Sequence, residues 1–245
     1  AFVDADLTGV DFSSADLAGA DFTGADLTGA ILEYADFTGA KMAGISCCDT
    51  KATGAYFNEA ELIETDFTEA NLTYANFSNA VIEKADFSRT ILRNAWFTGA
   101  KAGGALFTGA DMQACTVDGD AVFAGADFTG ADLADSNWEK TDLGGAVFRE
   151  ADLDRATMMK CAAAGADFRF ARASQANFSK SDLSHSLMSD VNLFNGSLRK
   201  ADVTGTDFRG SNLYGVDVYQ ANIVNTRFEG ANLKSTVLAG WRPEQ

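Results

Sequence analysis

Proline is nearly missing from the 245 residues, and the single one, Pro243, stands close to the end. The backbone before it can donate every amide hydrogen, as a continuous hydrogen-bonded ladder requires. Histidine is as scarce: His185 is alone, so catalysis by the usual nucleophile and base has almost nothing to draw on. The four cysteines are Cys47, Cys48, Cys115 and Cys161. None forms a CxxC pair, and a zinc site would need four converging ligands. No Gly-rich phosphate loop joins a strand to a helix. No catalytic residue, metal or cofactor is therefore expected. No apolar run approaches membrane-spanning length, and no membrane partner is expected. Bases are few, 19 against 35 acids, for a net charge of −16. Such a chain repels phosphate backbones, so direct nucleic-acid binding is not expected. Unpaired thiols and the lack of a signal-like start give a cytoplasmic location as the expectation.

The chain is nonetheless rich in apolar residues, at 47% with 19 Phe, too many for a disordered acidic chain. They recur every fifth position. The unit is a small residue, often Asp or Asn next, a bulky apolar centre, then two polar or small residues, as in Ala15-Asp16-Leu17-Ala18-Gly19. Centres run from Phe2 to Val117 and, after one extra residue within Asp118-Gly119-Asp120, from Phe123 to Leu238. A helix wants a period of 3.6 and a strand a period of 2, and five satisfies neither. A chain that turns a corner at every unit satisfies it. Four such units, one to a side, close one coil, and the 48 centres make 12 coils. The small position is Ala in 29 of 47 units, as sharing a narrow interior with a bulky centre demands.

This repeat resembles the pentapeptide-repeat family over essentially the whole chain. The resemblance implies an all-β, right-handed, four-sided parallel β-helix, with centre and small residue inward and the other three outward. The first six coils would occupy positions 1–120 and the last six positions 121–240, as a single domain. Residues 241–245 would form a short tail, with Trp241 as a cap. The extra residue is expected to make a small corner loop. Coils about 4.8 Å apart would give a rod roughly 55–60 Å long. Two coils look thin, the third at Cys47 and Ala52 and the ninth at Ala163 and Ala173. Less packing, water or a bulge is expected there. The chain starts at Ala1 in mid-pattern. It is expected to be the repeat region of a larger protein, its ends covered by another domain or by end-to-end self-association.

Function is expected to lie in surfaces, as in other repeat scaffolds. His185 and Cys48 face solvent, and the other three cysteines fill the interior. An acidic column forms from Asp6, Asp26, Asp66 and Asp86, joined by Asp49 and Glu69 and offset only by Arg89. It belongs to a half, residues 1–120, with a net charge of −13. It reads as a solvated face, a DNA-like surface or a docking face for a basic partner. In the other half Phe194 and Tyr214 should lie side by side facing out, with Phe170 and Tyr219 nearby. Asn192, Asn212 and Asn232 should form an amide ladder. Tyr34, Tyr56, Tyr74 and Trp96 are further outward aromatics. All these rings either stack between coils or make a partner site. The leading expectation is a non-enzymatic rigid scaffold with protein partners. Segments such as Asp190-Val191-Asn192-Leu193-Phe194-Asn195-Gly196 are loosely similar to the repeat tails of bacterial type VI secretion accessory proteins, which implies an effector-loading adaptor. A DNA mimic acting on gyrase or topoisomerase IV is the second expectation. The missing dimerising helix and long loops of that branch of the family count against it. A plain structural spacer is the third.

Overall fold

A computed structural model describes residues 1–238; the expected cap at Trp241 and the tail at 241–245 lie outside the described residues. The chain is all-β, with no helix among the described residues. From Asp6 to Asn232, each unit gives a short parallel bridge, on the residue before the centre. Asp6 pairs with Asp26, Asp11 with Ile31, Asp16 with Asp36 and Asp21 with Lys41, and the pattern continues to Asn212 with Asn232. The chain passes four bridge positions before the first recurs one coil on, so each coil is four-sided. We number the sides by the centres Phe2, Leu7, Phe12 and Leu17.

A turn produces each corner. The centre's carbonyl accepts from the amide three residues on, as in Ala15 N to Phe12 O at 2.9 Å. The residue two after the centre has a positive φ, 53° at Asp4 and 72° at Gly24. That is a type II turn. The positive φ recurs in every described unit, and non-glycine residues outnumber glycines there. A left-handed conformation costs an ordinary residue roughly 1–2 kcal/mol, so the ladder must hold these corners in place. The residue before the centre secures the corner further when it is Asp or Asn. Asp21 Oδ1 accepts from the amide of Thr23 at 3.0 Å and from its hydroxyl at 2.6 Å.

Between coils, the centre's amide donates forward and the amide before it donates back. Leu27 N reaches Ser46 O at 2.9 Å, and Asp26 N reaches Ala5 O at 3.0 Å. Centres stack in columns inside the ladder. On the second side, Phe67, Phe87, Phe107, Phe128, Phe148 and Phe168 are spaced 4.7–5.1 Å apart between ring centroids. On the fourth, Phe37, Phe57, Phe77 and Phe97 do the same at 5.0–5.1 Å. The columns meet edge to face, as Phe77 does Phe87 at 5.5 Å and 88°. Such pairs add to plain burial.

The expected bulge at the thin coils does not occur. Ladder bridges pass straight through them, from Lys51 to Asn71, Ala162 to Asp182 and Arg172 to Asn192. Ala52, Ala163 and Ala173 are fully buried. Backbone bonds between coils hold the register whatever the centre's size. The extra residue sits where the sequence puts it. Bridge spacing lengthens from 20 at Trp96–Thr116 to 21 at Lys101–Val122, and Asp120 takes a φ of 60° beside Gly119 at 66°.

Buried hydroxyls and thiols at the small position donate to a backbone carbonyl, most of them to one of the preceding coil, and Thr50, Thr90 and Ser136 to that of the centre three residues before. Thr65 Oγ1 reaches Met42 O at 2.7 Å, and Ser211 Oγ reaches Met188 O at 2.6 Å. Cys115 Sγ reaches Leu92 O at 2.9 Å, and Cys161 Sγ reaches Trp138 O at 2.9 Å. Ser186 breaks the rule: its buried Oγ has no hydrogen-bond partner. An unpaired buried hydroxyl costs about 1–3 kcal/mol. Ser186→Ala should therefore stabilise the protein by about 1 kcal/mol, and Ser211→Ala should destabilise it by about as much. Denaturant unfolding of the two variants checks this. A loss at Ser186 matching that at Ser211 would contradict it.

Candidate functional surfaces

Among the described residues, no group of three or more His, Cys, Asp and Glu side chains could hold a metal ion. No helix among them is long and apolar enough to cross a membrane. His185 is exposed at a corner and lies over Gly205 of the next coil. Cys47, Cys115 and Cys161 are buried, and all four thiols are free. Burial pushes Cys115 and Cys161 up to about 12, which leaves them as unreactive interior filling. The geometry offers surfaces for recognition.

The acidic column forms as the spacing requires. Asp6 bridges Asp26, Ser46 intervenes, and Asp66 bridges Asp86. These carboxylates are committed to the corners. Asp6, Asp26 and Asp66 each accept from the amide and the hydroxyl of the Thr two residues on, and Asp86 accepts from the Ser88 amide. The Thr8 hydroxyl, then its amide, hold the Asp6 carboxyl below the ordinary value. At Asp66 partial burial works the other way, but the Thr68 hydroxyl and amide outweigh it and the carboxyl is again lowered. Asp49 and Glu69 lie at the adjoining corner, where Arg89 pairs with Glu69 at 2.9 Å.

In the C-terminal half, charges pair off. Asp167 is held by Arg149 at 2.6 Å and Arg169 at 2.7 Å, and Asp207 by Arg209 at 2.7 Å. The Arg209 hydrogen bond is the main reason that Asp207 is lowered. The amide ladder is present: Asn232 donates to Asn212 at 3.0 Å and Asn212 to Asn192 at 2.9 Å. Beside it, at the corner after the third side, Phe194 and Tyr214 stack at 5.5 Å and 15°. Phe170 and Tyr219 belong to the preceding and following corners, so the four rings form no single column. Tyr219 is engaged by Arg199, 4.4 Å above its ring.

The other outward aromatics do something that the sequence reading did not single out. Tyr34 and Tyr74 occupy one corner column, with Gly54 between them. Tyr56 and Trp96 occupy the bridge column of the fourth side, with Asn76 between them. Neither pair stacks ring on ring, in contrast to Phe194 and Tyr214. The four rings surround an open groove of about 480 Å³ floored by Gly54, Asn76 and Ser78. The same two-coil spacing within each pair, from Tyr34 to Tyr74 and from Tyr56 to Trp96, was the available signal.

The sequence matches the family described as Pentapeptide repeats, in eight copies over residues 5–44, 53–89, 121–161, 164–195, 186–223 and 211–240. No curated protein matches it. Among solved structures, the chain is similar to HetL, a pentapeptide repeat protein involved in heterocyst differentiation regulation in the cyanobacterium Nostoc sp. strain PCC 7120. The identity is 23%, over 82% of this chain and 89% of that one, with a TM-score of 0.77. A pentapeptide repeat protein from the Arabidopsis thaliana thylakoid lumen is 39% identical over 41% of this chain and 66% of its own, at 0.29. QnrB1, a plasmid-mediated fluoroquinolone resistance protein, is 20% identical over 80% of this chain and 90% of its own, at 0.42.

The pinned carboxylates set the response to acid. A carboxyl lowered in the folded state contributes stability that is full above its unfolded value, 3.8 for Asp, and is lost as pH falls through the folded value. The melting temperature should stay level from neutral pH to about 4 and drop below it. A rise on acidification would mean that like-charge repulsion outweighs the corner hydrogen bonds.

Proposed function

Because the chain belongs to the pentapeptide-repeat family, whose members fold as right-handed β-helices, we propose that it is a non-enzymatic scaffold that binds protein partners along its sides. Its repeats would form one solenoid of 12 coils spanning positions 1–240, working in the cytoplasm. One observation carries the reading. Phe194 and Tyr214 are stacked in the open, each more than a third exposed, on an amide ladder that fixes their spacing. Rings held in place before binding lose little freedom on contact, and aromatics are favoured at interface cores. A secretion adaptor or a spacer would use the same rod; the adaptor reading rests on sequence likeness alone.

A second reading, a DNA mimic acting on a topoisomerase, is supported by the acidic column. Its carboxylates are fixed by their corners rather than free to swing, as a phosphate-like array would need. Two arms with the purified chain separate the readings. Phe194→Ser with Tyr214→Ser should abolish capture of a partner by the immobilised protein and leave the melting temperature nearly unchanged; undiminished capture would sink the scaffold reading at this surface. Salt-sensitive inhibition of gyrase supercoiling is what the mimic requires, and its absence at micromolar protein would remove that reading.

A further inference from the structure

We propose that the groove between Tyr34, Tyr56, Tyr74 and Trp96 is a docking site for a basic segment of a partner protein, with a lysine or arginine head held between the rings. The inference rests on the scaffold reading and adds a second surface and the partner's chemistry.

Ring placement is the first argument. Tyr34 and Tyr74 stand two coils apart, roughly 9–10 Å at the spacing of neighbouring strands. Gly54 between them has no side chain, and the Tyr34 ring lies over it, so near that a Cβ there would come within 2.7 Å of the ring. A cation seated in the groove against an exposed ring face would come within the range of cation–π attraction, about 6 Å from the ring centre. Tyr56 and Trp96 repeat the arrangement on the adjoining side, with Asn76 between them. The Asn76 Oδ1 is occupied by the amide and hydroxyl of Ser78, at 2.9 and 2.6 Å. All four rings are between 41% and 60% exposed, a large apolar investment on an acidic surface.

Charge decides the occupant. Between positions 33 and 79, the fourth side and its two corners carry Glu33, Asp36 and Glu59 and no base. Lys51 belongs to the third side, and Arg93, one coil on, is paired with Asp111 at 2.6 Å. The half of the chain around the groove has a net charge of −13. An anionic or purely apolar ligand would gain nothing from that field, and a cation would be drawn in by it. The groove is open along the rod, so a small free cation would be gripped on one side only. A peptide chain laid along the coils gains further contacts beside its charged head.

Calorimetric titration of the whole chain with a triarginine peptide tests this, with tricitrulline as the neutral counterpart and tetramethylammonium as a free cation. The variant carries Tyr34→Ser and Tyr74→Ser, both exposed, and its melting temperature is checked against the parent. The expected result is binding of triarginine by the parent, about tenfold weaker binding by the variant, and none of tricitrulline. Equal binding by the variant would assign the attraction to acidic charge alone and overturn the site. Equal binding of tricitrulline would overturn the role of charge. Tetramethylammonium binding as tightly as triarginine would make this a small-cation site and overturn the peptide as occupant, and no binding at all would also overturn the proposal. None of these outcomes touches the Phe194 and Tyr214 result, so the scaffold reading stands or falls separately.

Discussion

The type II turn closed between each centre's carbonyl and the amide three residues later is the constraint on which the rest depends. It makes the chain change direction at every unit, and so fixes which two positions face inward. It also settles the backbone's hydrogen bonds. Of five amides in a unit, one closes the turn and three bond to neighbouring coils, as at Ala25, Asp26, Leu27 and Gly29. The fifth follows the centre and has no backbone acceptor. Asp or Asn before the centre supplies one, as Asp26 does for Thr28 at 2.9 Å. The frequent Asp of the repeat is thus a backbone cap. The strongly negative surface follows from it.

Much of this was legible in the sequence because the period is strict. Corner, column and side follow from residue number alone, which placed the phenylalanine columns, the Asn192–Asn232 ladder and the loop near Asp118 correctly. Centre size proved a poor guide to continuity. Ala163 and Ala173 remove volume, but the backbone bonds that carry the ladder do not involve side chains. The positive φ at every corner was only partly visible. Glycine marks some corners, but residues such as Tyr34, Glu64 and Arg89 take the same conformation with no sequence signal of their own. The aromatic groove was missed for a related reason. Tyr34 and Tyr56 lie in successive coils at different positions in the unit, and only the coil geometry brings their columns together.

A rod of this kind meets other molecules through its outer face. Its interior is closed by phenylalanine, its buried thiols are unreactive, and many of its aspartates are tied to corners or to arginines. What remains free to recognise another molecule is the set of side chains standing off the corners. The two halves equip those differently. The C-terminal half pairs its charges and stacks Phe194 on Tyr214. The N-terminal half keeps a negative field and holds its rings apart, leaving space between them.

Residue-resolved amide hydrogen exchange tests the central claim most directly. Protection should repeat with the five-residue unit, with the amide after the centre as the weak position. Thr53, Asn58 and Ile63, whose units carry Lys51, Tyr56 and Glu61 before the centre, should exchange faster than Thr68, Thr73 and Ser78, which Asp66, Asn71 and Asn76 cap. A two-residue alternation in protection, or no difference between capped and uncapped positions, would contradict the account.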